Sequence, residues 1–440
     1  MRQMHKVIKQ YFPKLFEQMG ALTDHRKRRD YQVSELITSG IAMFLLKATS
    51  RNALNNDRKQ ECFKSNYAKI FKRRLAHMDT VEDFLRRLPA EDLDKLKAGL
   101  VAGLVEQRVL HRFKLLGKYF TVAIDGSGIN SYEENDAEQS LLSKTSKNGN
   151  TTFYRYAVEA KLVTASGLAI SVGTEWVTNE PGRNFDKQDC EQRAFERLAR
   201  QVKKSFPRLP VCILADGLYP NKTFMKTCKD NGWEFVVVLK DDNLKTLQQD
   251  ITDVENKHRH STECSTSKSK GKKHIHWQYE WITEQLDHGG YRVYWLKCTE
   301  TVTHLDKDSK VASQKATRFV YLTSMEVDKE NVRNIAGAGR MRWKIENEGF
   351  NTQKNGGYNL GHKYSRKSFS SYKNYYQCMQ IAHMINQFTI HSNNITALLN
   401  TDTKLTIKHI WKQLMAWLTC CIASETDFEI NNRIQVRLAG

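Results

Sequence analysis

No two of the nine cysteines, scattered from Cys62 to Cys421, stand in a Cys-x-x-Cys spacing. An odd, irregular set in a chain this long reads as reduced thiols, mostly small core residues, which excludes a disulfide scaffold. No apolar run is long enough for a membrane span. The longest, residues 36–46, falls far short of the ~20 residues needed, and no signal peptide opens the chain. The expectation is a soluble, cytoplasmic protein. Acid is scarce too: 49 Asp+Glu stand against 69 Lys+Arg, a formal charge of +20. That balance calls for a polyanionic partner, nucleic acid ahead of an anionic membrane. With 440 residues and 40% hydrophobic content, two or three domains with real cores are expected, not disorder.

Residues 1–112 read as helical. Positions 31–47 carry apolar residues at helical spacing, and Thr80-Val81-Glu82-Asp83 reads as a capping box opening a helix over 81–88, stopped by Pro89. Basic runs at 25–29, 72–74 and 86–87 favour phosphate contact by this region over a merely solvated face.

At Lys118 the pattern changes. Residues 119–124 are an apolar strand ending in Asp125-Gly126-Ser127-Gly128, read as a turn, and strands at 153–164 and 168–176 complete a meander. An amphipathic helix over 186–205 leads to a second buried strand, 211–215, again ending in Asp-Gly at Asp216. A helix over 221–231 and a strand over 233–240 follow, so this is an α/β region with its site at strand ends. One Asp after a strand is usually a turn former. Two in matched settings point to a shared site.

Residues 245–324 read as a β-rich insertion, within which 265–273 looks like a mobile Ser/Lys/Gly loop. His258, His260, Cys264, His274 and His276 lie close together there, but their spacing fits no common zinc module. The stretch 340–354 then reads mostly as helix, with Trp343 and Phe350 on a packing side and Arg342 and Glu346 on another. Alone it is equally a solvated face with ion pairs. With Asp125 and Asp216 it supplies the third carboxylate that two divalent ions about 4 Å apart would need for phosphoryl transfer. Arg342 and Lys354 are then placed to hold phosphate oxygens.

Three segments carry a family resemblance: Ala123-Ile124-Asp125-Gly126-Ser127, Leu214-Ala215-Asp216-Gly217-Leu218-Tyr219, and 342–351 running on into Gly357-Tyr358-Asn359-Leu360. Over roughly residues 115–365 the chain resembles the DDE transposases of bacterial insertion sequences, in the group with a β-rich insertion and a Y-x2-R-x3-E-x6-K signature. The resemblance implies an α/β RNase H-like catalytic domain interrupted by a β-rich insertion and flanked by all-α N- and C-terminal regions. The implied boundaries are 1–112 (DNA binding), 113–244 and 325–365 (catalytic), 245–324 (insertion) and 366–440 (C-terminal helices). It implies Asp125, Asp216 and Glu346 as catalytic, metal-binding residues with two Mg²⁺ or Mn²⁺ ions, and Arg342 and Lys354 on DNA phosphate. It also implies cut-and-paste transposition on terminal inverted repeats and target DNA, by a homodimer in the DNA complex and associated with the bacterial nucleoid.

The chain departs from the signature in two places. Gly339 stands at the tyrosine position, and Lys354 lies one residue late, with Gln353 at the strict place. Glu348 is the rival to Glu346. Two alternatives remain at this point: a domesticated, non-catalytic DNA-binding protein and an RNase H-like nuclease that does not join strands. After Lys363 the sequence returns to helices over 372–388 and 405–423, where His383 reads as a core residue, and 424–440 reads as a polar tail.

Overall fold

The apolar runs pair into one mixed eleven-stranded sheet in a computed structural model of the chain. It describes all residues except 28, 137–139, 180–188, 242–243, 259–261, 367, 402–404, 425, 429–434 and 439–440, together with the side chains of 255–258, 262–263 and 428. The strands are β1 (Phe120–Tyr132), β2 (Leu142–Thr145), β3 (Thr151–Val163), β4 (Ala169–Val177), β5 (Val211–Ala215) and β6 (Glu234–Val238). Then come β7 (Thr262–Lys270), β8 (Lys273–Trp281), β9 (Leu286–His288), β10 (Tyr291–Leu305) and β11 (Val311–Thr323).

β3 lies antiparallel to β1 and to both β2 and β4, while β5 and β6 run parallel to β1. Parallel strands need crossovers, and helices Glu191–Ser205 and Lys222–Asn231 supply them. The first lays Ala194, Phe195, Leu198, Ala199 and Val202 on β4. It comes close because Gly173 has no side chain: a Cβ there would sit 2.8 Å from Leu198 and Val202. The second is capped by Asn221, whose side chain accepts from Phe224 N at 3.0 Å, and ended by Gly232 at φ +66°.

The β-rich stretch extends this same sheet: β11 pairs antiparallel with β6, followed by β10, β8 and β7. Helix Phe369–Ile390 is the hub of the other layer. Almost every residue is buried, against helices Val33–Leu45, Met78–Arg87 and Ala90–Glu106 on one side and β4 on the other. A helix buried nearly all round belongs in a core, and two of its amides bond neighbouring backbone there. Asn374 donates to Leu85 O and Leu88 O at 2.8 Å, and Gln387 bonds Ala169 N and O. Among the described residues no helix is long and apolar enough to cross a membrane.

Several local expectations need correction. Helix Met78–Arg87 starts earlier than the Thr80 box suggests, because His77 Nδ1 caps it by accepting from Asp79 N. Residues 265–273 are not a loop but most of β7 and the tight turn into β8 at Gly271 (φ +56°). Ser267 and Ser269 there bond His276 Nδ1 and His274 Nδ1 at 2.8 and 2.6 Å. Those bonds occupy the two histidines, and His260 with the side chain of His258 lies outside the described residues. The terminal stretch is not wholly a tail either: Val436 and Leu438 are buried, and Val436 O accepts from Tyr11 OH at 2.6 Å.

Candidate active site

β1 and β5 run parallel in a register that pairs Ala123 with Leu214, so Asp125 and Asp216, each two residues further on, come side by side. Asp125 is not at a turn, as the sequence suggested. β1 continues through it to Tyr132, because its backbone ladder with β3 persists past the apolar run, with an irregularity between Gly128 and Asn130. Asp216 does follow its strand, where its Oδ1 accepts from Leu218 N at 2.8 Å.

The Glu346 segment is helix Val332–Met341 continued by a π-helical turn, Ile345–Asn351, and the short helix Thr352–Asn355. Its buried side is Ile345, Gly349 and Phe350. Trp343, expected to pack with Phe350, is instead 48% exposed, with the Arg342 guanidinium over its ring at 4.4 Å. Arg342 stands between two of the acids, 3.9 Å from Asp125 Oδ2 and 3.7 Å from Glu346 Oε2, and its buried Nε has no hydrogen-bond partner. Both contacts are long, leaving donors free for a phosphate oxygen.

Glu348 faces elsewhere. It pairs with Lys344 at 2.7 Å and lines a cavity of about 610 Å³ on the far side of the helix with Lys47, His383 and Trp411. His383 is buried and its Nδ1 bonds Gln353 Nε2 at 2.9 Å, as expected of a core residue.

The π turn bears on the displaced lysine. A π turn takes one residue more than an α turn, so the eighth residue after Glu346 returns to the side that the seventh would reach in a plain α-helix. Lys354 lies there, and its Nζ donates to Ser127 Oγ at 2.9 Å, two residues from Asp125. Gln353 is turned inward, fully buried and bonded to Gln380 and His383. Gly339 has an equally local reason: any Cβ there would run into the ring of Tyr321, from β11.

Sequence reasoning missed two residues. Lys240, past β6, lies 3.7 Å from Asp216 Oδ2 with its stem over Gly217, which must lack a side chain to admit it. Glu191, first residue of its helix, accepts from Tyr156 OH at 2.8 Å and Tyr219 OH at 2.6 Å. An acid in the first turn of a helix leaving a strand end was the available signal, hidden in an amphipathic pattern.

Burial pushes Asp125 up to about 7, with Arg342 opposing and the charges of Glu191 and Glu346 adding to the rise. Negative charge here exceeds what Arg342 compensates. Among the described residues no three His, Cys, Asp or Glu side chains close around one point. Hard oxygen donors in an open, under-compensated pair nevertheless suit Mg²⁺, which binds through one or two carboxylates and completes its shell with water and substrate phosphate. Asp125 supplies such oxygens, and so does Asp216, two residues past the paired end of the neighbouring strand and 3.7 Å from Lys240.

Acids on neighbouring parallel strands of a mixed α/β sheet, with Arg342, Lys240 and Lys354 beside them, form a polar, charged site. The model of the Transposase DDE domain family matches residues 118–385, more than half of the chain and all of this site, and the chain belongs to that family. It is thus a transposase-domain protein, of a class that processes DNA. No curated protein matches the chain significantly.

Proposed function

We propose that the chain is a metal-dependent DNA transposase that cuts the ends of a mobile element and joins them to target DNA. The observation that carries this is that Asp125 and Asp216 each stand two residues past the paired end of neighbouring parallel strands, with Glu346 linked to Asp125 through Arg342. In this reading β4, β3, β1, β5 and β6 with their helices are an RNase H-like catalytic core, and β7–β11 its insertion. The N-terminal helices bind the terminal inverted repeats, and two copies of the chain meet on the DNA, in the cytoplasm at the nucleoid.

Asp125, Asp216 and Glu346 would hold two Mg²⁺ or Mn²⁺ ions, which when bound activate the attacking oxygen and stabilise the leaving one. The chain's own groups do the rest. Arg342 offers its unpaired donors to a phosphate oxygen. Lys354, beside Ser127, holds the backbone on the other flank. Water attacks the phosphodiester at the element end, and the freed 3′-hydroxyl then attacks the opposite strand, giving a hairpin, or the target.

A cleavage and strand-transfer assay on DNA from the native element ends tests this. Mg²⁺-dependent cutting followed by joined products is expected. Cutting without joining identifies a nuclease, and binding without cutting a domesticated DNA-binding protein.

A further inference from the structure

We infer that Glu191 is a fourth carboxylate of this centre, whose charge helps hold the divalent cation at Asp125 and Asp216. The inference rests on reading those aspartates as a metal site.

Glu191 opens helix Glu191–Ser205, the crossover into β5, so the fold brings it to the strand ends where the aspartates lie. Each of its oxygens receives one tyrosine hydroxyl, Tyr156 from β3 and Tyr219 from the turn three residues past Asp216. Each oxygen keeps lone pairs to spare. Among the described residues no Lys, Arg or His forms an ion pair with it. Glu191 also lies close to Asp125: a Cβ on Gly126, the next residue, would lie 2.4 Å from Tyr156 and 2.6 Å from Glu191 Oε2. Here a carboxylate is clamped beside Asp125, whose own charge it and Glu346 oppose. A divalent cation relieves that arrangement.

The test is Mn²⁺ binding to the full chain without DNA, followed by the electron paramagnetic resonance of free Mn²⁺. Glu191→Gln removes the charge and keeps one carbonyl acceptor, while its NH2 can donate to the second tyrosine oxygen. It should weaken Mn²⁺ binding by about tenfold or more, the scale of loss seen when groups around a metal are removed, with an unchanged melting temperature. Asp125→Asn and Asp216→Asn should weaken it further. Should Glu191→Gln not fold, Glu191→Asp, which keeps the charge but draws it back by one methylene, should also bind more weakly than the parent. Parent-like affinity in the Glu191 variants, with losses in the aspartate variants, overturns the role of Glu191 alone. Parent-like affinity in all of them overturns the metal-centre reading and this inference with it.

Discussion

Two carboxylates face each other across β1 and β3, Asp125 and Glu159, direct partners in the ladder, and they live in opposite circumstances. Glu159 is wholly buried, 3.2 Å from the equally buried Lys161, and takes the Thr174 hydroxyl as well. Lys161 in turn donates to Gln380 of the hub helix at 2.7 Å. Asp125 keeps 19% of its side chain exposed, has only a distant guanidinium 3.9 Å away, and is pushed up to about 7. Both acids sit in the same strand pair, yet one is compensated tightly inside the fold while the other is compensated loosely. Strand position does not decide the difference; the nearest partners do.

The largest expected effect breaks the loose side. Asp125→Ala, Asp216→Ala or Glu346→Ala should each lower single-turnover cleavage of element-end DNA by roughly 10³-fold or more. Band-shift titration should find binding largely retained. Glu159→Ala should do the reverse. It strands buried Lys161 without its counter-ion, so urea unfolding should show a loss of about 3–5 kcal/mol, while molecules that stay folded still cleave.

Next comes Arg342→Ala. Removing a donor aimed at the reacting phosphate should cost on the order of 10²-fold in cleavage rate, measured at saturating DNA.

A pH series sharpens the contrast further. The carboxyl of Asp125 is raised in the folded chain, so its ionised form is the one that folding disfavours. Above about 7 the folded protein carries that penalty; towards pH 4 the folded carboxyl is protonated and the penalty fades. Asp125→Asn should therefore melt above the parent at pH 8, with the gap narrowing as pH falls. Metal-dependent cleavage by the parent should decline as pH drops below about 7, because a proton then competes for the carboxylate. Smallest is Lys354→Ala, which should lower the salt dependence of end-DNA binding by about one phosphate contact.

Much of this site was legible in the residues alone. Asp125 and Asp216 announced themselves because each closes a buried apolar run, and the resemblance to the transposase signature set the register of the third acid. The continuation of β1 past Asp125 was not legible: Gly126, Ser127 and Gly128 carry no strand signal, and the ladder there is held by backbone bonds. Nor was the π turn, which no residue type marks, although it explains how Lys354 reaches Ser127 from one place too far along. The Gly339 departure became intelligible only once Tyr321, eighteen residues earlier, was seen to fill the space. Helix Phe369–Ile390 read as a striped C-terminal helix, and its role as the hub between the N-terminal helices and the sheet depends on contacts hundreds of residues apart. Ser/Lys-rich β7 is strand because it lies along β8 at the sheet's edge, where lysines also discourage further pairing.

The central claim is that Asp125 and Glu346, joined through Arg342, act as parts of one centre. The most direct test is single-turnover, Mg²⁺-dependent cleavage by Asp125→Asn, Glu346→Gln and the double variant. Residues that work as a unit are strongly non-additive, so the double variant should cut scarcely more slowly than the worse single one. Losses that multiply independently, or a single variant that cuts like the parent, would contradict the account.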